Sequence, residues 1–217
     1  MHSTGKKTVC ISLLPLALLF ILPFRAAAHP HLFISTQTEF VFNAGKIRGA
    51  YETWTFDRFF SADIIQGYDL NGDGRFDKTE TQDVYDNAFI NTQHYAYFTF
   101  IRQGEKRSSP DMTSRFSVWQ KDGIVSYRFY VDLTEYTGDF YFAVYDYTFF
   151  CDFRYDEKKP VLFTGVTGST VPSYTIVENK KYPVYYDPFD TADVTTMYDT
   201  WKPGLQTYYP KEIHIIY

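Results

Sequence analysis

The 217 residues predict an α+β fold: mostly antiparallel β-sheet or sandwich, with one helical pair inserted. Three observations carry that expectation. Aromatic side chains are unusually common, with 20 Tyr and 21 Phe, and both types favour strands. Alternating apolar stretches recur from His31 to the end of the chain, punctuated by Gly-, Asn- and Pro-containing turns. After the second stretch, helical spacing replaces the alternation on both sides of an Asp/Asn/Gly-rich loop.

In order, His31 to Phe42 alternates as a strand, Asn43-Ala44-Gly45 turns, and Lys46 to Phe56 returns to form a hairpin. Asp57 stands as the N-cap of a helix carrying Phe59, Phe60, Ile64 and Ile65. An exit helix runs from Lys78 to about His94, with Val84, Ala88 and Phe89 at helical spacing, so residues 57–94 form an inserted helix–loop–helix unit. Ala96 to Gln103, Thr113 to Lys121, Ile124 to Thr134 and Phe140 to Phe153 read as strands, and Asp122-Gly123 is a two-residue hairpin turn. Val161 to Val166 and Ser173 to Glu178 are shorter strands. Tyr182 to Pro210 holds Pro183, Pro188, Pro203 and Gly204 and reads as a loop-rich excursion, before Glu212 to Tyr217 closes the chain as an Ile-rich strand.

The first 28 residues read differently. Lys6 and Lys7 precede an apolar run from Val9 to Phe24, and Ala26-Ala27-Ala28 supply a small-residue cleavage site. The run falls short of the roughly 20 residues a bilayer span needs and contains Pro15 and Pro23. A secretory signal peptide at 1–28 is therefore expected, followed by a single domain over 29–217, a periplasmic or otherwise exported location, and no membrane span after cleavage. An uncleaved anchor is the competing reading. Cleavage removes three of the 21 basic residues and no acid, leaving 18 against 26 and a net charge near −8. Such a chain has no electrostatic reason to seek nucleic acid or anionic lipid. Cys151 alone remains of the two cysteines, which excludes an intrachain disulfide; with Phe150 and Phe153 nearby it reads as a buried small hydrophobe rather than a metal ligand or reactive thiol.

The loop from Asp69 to Glu80 carries the sharpest motif. Counted as twelve residues, it places side-chain oxygens at positions one, three, five, nine and twelve: Asp69, Asn71, Asp73, Asp77 and Glu80. Gly74 stands at position six, where the chain turns with φ > 0, and Arg75 at position seven need offer only its backbone carbonyl. This is the EF-hand pattern for Ca2+. A surface turn uses the same letters, yet a chance turn rarely fills all six constrained positions. The loop is solitary, so a structural ion is expected rather than a signal.

A second feature is His29-Pro30-His31, which signal cleavage would place at the amino terminus. Pro30 has no amide N–H, which excludes the square-planar amino-terminal copper/nickel mode. Imidazole ligation remains, alone or with the His29 amine, and imidazole suits zinc, nickel, copper and cobalt. Two solvated histidines on a frayed terminus are the alternative. His94 and His214 read as ordinary helix-end or sheet-edge histidines. The sequence contains no Walker loop, GxSxG elbow, HExxH or CxxC, so the protein is not expected to be an enzyme; a copper site built on His29 is the least favoured reading.

His29-Pro30-His31-Leu32-Phe33, Trp54-Thr55-Phe56-Asp57 leading into the helix and its DxNxDGxxDxxE loop, Tyr97-Phe98, and Tyr145-Asp146-Tyr147-Thr148-Phe149-Phe150 together resemble the domain-of-unknown-function 1007 family. The likeness spans roughly His29 to Phe153. Two departures stand out: Tyr147 replaces the proline that often follows the motif's Asp, and Tyr182 to Pro210 has no counterpart in the pattern. The resemblance implies a periplasmic component of a transition-metal transport system, partnered by a polytopic inner-membrane permease of the nickel/cobalt/zinc type. It also implies Asp146 as a carboxylate partner to His29 and His31 around Zn2+ or Ni2+. The alternative is a calcium-stabilised periplasmic interaction module whose Tyr- and Phe-rich surface binds protein.

Overall fold

The computed structural model describes residues 29–167, 171–189 and 196–217; the expected signal peptide lies outside them. In chain order the elements are β1 (Leu32–Asn43), β2 (Lys46–Phe56), α1 (Arg58–Tyr68), α2 (Lys78–Asn87), a 3-10 segment (Phe89–Phe98), β3 (Thr99–Gln103), β4 (Lys106–Ser108), β5 (Ser114–Lys121), β6 (Ile124–Asp132), β7 (Phe140–Val144), β8 (Cys151–Tyr155), β9 (Val161–Thr164), β10 (Ser173–Glu178), β11 (Val184–Tyr186), β12 (Gln206–Tyr208) and β13 (Lys211–Ile216). The α+β class holds. One six-stranded sheet runs β5-β6-β2-β1-β8 with β9 also on β1, one five-stranded sheet runs β10-β13-β7-β3-β4, and β11 pairs β12.

Alternation decides which faces meet. Along β1 the buried residues are Ile34, Thr36, Thr38, Phe40 and Phe42, each two apart, as the pleat demands. Phe40 meets Phe140 and Phe142 of β7 with ring centroids 6.0 and 5.5 Å apart, so the inner faces of the two large sheets share one core. Trp54 of β2 is 1% exposed and packs edge-to-face on Phe129 and Phe153 at 4.7 and 5.2 Å, geometry that the ring quadrupoles favour.

Two expectations are corrected, while the mostly antiparallel pairing holds apart from two parallel partners of β1. The Phe140–Phe153 stretch is two strands in different sheets, because the Asp146 carboxylate captures the Thr148 and Cys151 amides and folds residues 145–150 into a turn. Both β8 and β9 lie parallel to β1, so the first sheet is mixed. The exit helix stops at Asn87; a 3-10 segment continues to Phe98, and the next strand starts at Thr99 rather than Ala96. Ala96, Tyr97 and Phe98 all take positive φ, which lets Tyr97 and Phe98 turn inward into the core. The excursion from Tyr182 to Pro210 contributes the β11–β12 pair.

Candidate functional site

The helical pair is anchored at both ends. Asp57 caps α1, its Oδ1 accepting from the Phe59 and Phe60 amides at 2.8 and 3.0 Å, while Oδ2 accepts from Phe33 N of β1 at 3.0 Å. Further along α1, Ser61 Oγ accepts from Val125 N of β6 at 2.9 Å. Asp77 caps α2 through Thr79 N and Glu80 N, and Glu80 Oε2 accepts in return from Asp77 N at 2.9 Å, which completes a capping box.

Between the helices the loop holds itself by its acidic side chains. Asp69 Oδ2 accepts from Gly74 N at 3.0 Å, Asn71 Oδ1 from Asp73 N at 2.8 Å, and Asp73 Oδ1 from Arg75 N at 2.8 Å. Glu80 Oε1 reaches back to Leu70 N at 2.9 Å and closes the two ends of the loop on each other. Gly74 has φ +77°, and a Cβ there would stand 2.9 Å from Gln120 Nε2, which donates to the Gly74 carbonyl and ties the loop to β5. Glu80 is only 4% exposed, and Asp69 Oδ1 is buried with no hydrogen-bond partner. Leaving a buried carboxylate oxygen unmatched is costly. Hard oxygen donors with one buried lone oxygen fit Ca2+ by donor type. Among the described residues, however, no three His, Cys, Asp or Glu side chains converge as a metal-holding group.

The histidines immediately precede β1, an interior strand of the first sheet, at its amino-terminal end. His31 N donates to Phe150 O at 2.9 Å and its ring stacks on Phe150 at 4.9 Å and 24°; the His29 ring stands edge-on to it at 4.8 Å, and 6.3 Å from Tyr186. Asp146 belongs to the turn that presents Phe150. It is 2% exposed, its Oδ1 accepts from Thr148 N and Oγ1 at 2.8 Å each, and its Oδ2 accepts from Cys151 N at 3.0 Å. Burial raises its pKa against the pull of those hydrogen bonds. Asp146 is thus committed to the turn, and the structure does not assemble it with His29 and His31 into a three-ligand group. Cys151 is buried, and burial together with Asp146 pushes its thiol pKa well up. His94 gives its carbonyl to Tyr147 Oη at 3.0 Å, and the His214 ring stacks on Tyr141 at 4.2 Å.

Sequence reasoning missed Phe150 and Tyr186 as neighbours of the histidines. The Asp146-x-Thr148 spacing carried a turn signal that could have placed Phe150. Nothing local pointed to Tyr186, which β11 brings from far along the chain.

The strand and helix order defines a two-sheet α+β domain with a capped helical pair inserted after its first hairpin. The chain belongs to the family described as protein of unknown function (DUF1007), whose profile matches residues 14–217. That match continues past Phe153 to Tyr217 and so takes in the Tyr182–Pro210 excursion. An uncharacterized 15.5 kDa protein in the trpE 3′ region of Spirochaeta aurantia is 30% identical over 151 residues, covering 65% of this chain and all of the relative. An uncharacterized protein of Haemophilus influenzae is 25% identical over 150 residues, covering 66% of this chain and 71% of the relative. No solved structure matches.

Proposed function

We propose that the protein is an exported, non-enzymatic accessory component that binds a divalent transition metal, zinc or nickel, at His29 and His31, and exchanges it with a polytopic inner-membrane permease. The observation that carries this reading is the pairing of the two imidazoles, 4.8 Å between centroids, on a backbone pinned to Phe150. Neutral imidazole is a ligand these ions accept, and the exposure of His31 leaves room for a partner to complete the coordination. Ca2+ at the EF-hand-like loop, through Asp69, Asn71, Asp73, Asp77, Glu80 and the Arg75 carbonyl, would clasp the scaffold. Among the described residues no helix is long and apolar enough to cross a membrane.

Isothermal titration with zinc and nickel tests the reading. Binding by the natural protein that weakens at least tenfold in the His29→Ala/His31→Ala double variant supports it; equal binding by both refutes it.

A second reading, a calcium-stabilised protein-interaction module, is favoured by a different observation. An open groove of about 710 Å³ is lined by Tyr147, Tyr182, Tyr185, Tyr198, Arg107 and Lys181. Arg107 lies 4.1 Å over the Phe100 ring and 4.5 Å over Tyr182, the aromatic-plus-arginine composition that protein interfaces favour. On this reading calcium shifts the melting temperature while zinc and nickel bind nowhere specifically.

A further inference from the structure

A cavity of about 380 Å³ lies between the inner face of the first sheet and the inserted helical segment. Ile34, Trp54 and Phe56 form its strand side, and Ile64, Phe89 and Phe98 its helical side. Protein interiors hold few voids larger than one water, whose share of liquid volume is about 30 Å³. A space more than tenfold larger is not a packing fault. Its volume falls within the range of small-molecule sites, about 300–1,000 Å³. Partly exposed Thr92, Tyr95 and Phe150 and exposed Asn91 also line it and mark its opening to solvent.

The lining chooses the ligand. No lysine, arginine or histidine is among the lining residues, and Asp146 is the one carboxylate, already accepting from Thr148 and Cys151. A fatty-acid or phosphate head would meet an acid and no cation. A metal ion would find a single carboxylate whose oxygens are already committed to Thr148 and Cys151, among mostly apolar walls. What gains is an apolar body that replaces water on the walls and recovers dispersion contacts with Trp54, Phe56, Phe89 and Phe98. The geometry points to a binding site for one small uncharged hydrophobic molecule, alkyl or aryl, in the cavity between β1–β2 and the α1-to-3-10 segment. It is separate from the loop and from the histidine pair, although Phe150 is shared: one side lines the cavity and the ring stacks on His31.

Trp54 supplies a built-in reporter, since it lines the cavity at 1% exposure while Trp119 and Trp201 are 39% and 55% exposed. In a Trp119→Phe/Trp201→Phe background, the neutral dye N-phenyl-1-naphthylamine is titrated against the protein while energy transfer from Trp54 is followed. Saturable uptake at one dye per chain is expected, displaced by 1-dodecanol at least tenfold better than by dodecanoate at pH 8. Filling the space with Ala88→Phe should weaken dye binding at least tenfold with the fold retained by circular dichroism; Thr92→Phe at the opening serves if Ala88→Phe does not fold. Unsaturable uptake, or uptake unchanged in the folded filling variant, would overturn the site. Displacement by dodecanoate as effective as by dodecanol would overturn the uncharged assignment.

Discussion

Glu52 is a carboxylic acid held in costly surroundings. It lies on the inner face of β2, fully buried, opposite Thr38. Thr36 Oγ1 donates to its Oε2 at 2.9 Å, while Oε1 finds no hydrogen-bond partner. Against burial, the Thr38, Thr36 and Trp54 donors and then the Arg128 charge pull its pKa down, although Thr38 and Trp54 lie outside strict hydrogen-bond geometry. Desolvation dominates and pushes the pKa from 4.5 up to about 8. The sign follows from proton counts. Between about pH 4.5 and 8 the folded chain keeps a proton that the unfolded chain has released, so stability falls as pH rises across that window. The slope from this one group approaches about 1.4 kcal/mol per pH unit. Glu52→Gln carries the neutral form permanently. It is expected to flatten the decline and to be more stable than the natural protein at pH 9, measured as urea midpoints at pH 5, 7 and 9. Parallel midpoint curves for the two proteins would show that Glu52 is ionised in the fold.

At the scale of elements, the α1–loop–α2 unit is where the proposed calcium ion would act. Its loop is stitched by its own carboxylates, so Asp69→Ala or Glu80→Ala removes hydrogen bonds even without metal. The decisive comparison is therefore the response to calcium. Extracellular sites of this type bind at about 10⁻⁴–10⁻³ M. At calcium tenfold above such a dissociation constant the native state gains about 1.4 kcal/mol, a few degrees in melting temperature for a chain of this size. Differential scanning calorimetry with and without chelator should show that rise in the natural protein and its loss in Asp69→Ala. A rise that survives Asp69→Ala places the ion elsewhere. The other connection worth weight at this scale is the Arg102–Glu212 pair. The guanidinium of β3 meets the β13 carboxylate at 2.7 and 3.3 Å, Asn179 adds a third hydrogen bond, and Tyr141 lies under Arg102 at 3.7 Å. It bridges across β7 and fixes the register of the second sheet.

For the whole molecule, what was legible in the sequence was local. The β1–β2 hairpin, the Asp57 cap and the Asp122-Gly123 turn, whose two residues both take positive φ, all follow from short-range chemistry. The spacing around Asp69 to Glu80, read as a calcium loop between two helices, likewise placed a helix on each side of it. What was hidden is set by distant partners. The aromatic run from Phe140 to Phe153 has strand propensity throughout, and only the Asp146 turn sends its halves to different sheets. Parallel pairing of β1 with β8 and β9 joins segments more than 100 residues apart, with no local signature. Strand β4 is three polar residues, Lys106–Ser108, below the threshold of any periodicity. The cavity was invisible for the same reason, since its walls come from β1, β2, α1, the 3-10 segment, β6 and the 146–151 turn, which are separated along the chain.

Metal at the His29–His31 pair is the claim on which the proposed function stands, and ring-nitrogen NMR of 15N-labelled protein reads it directly. On adding one equivalent of zinc, the imidazole nitrogens of His29 and His31 are expected to shift into the metal-bound range while those of His94 and His214 stay where they were. Unmoved His29 and His31 resonances, or a shift confined to His94 or His214, would contradict it.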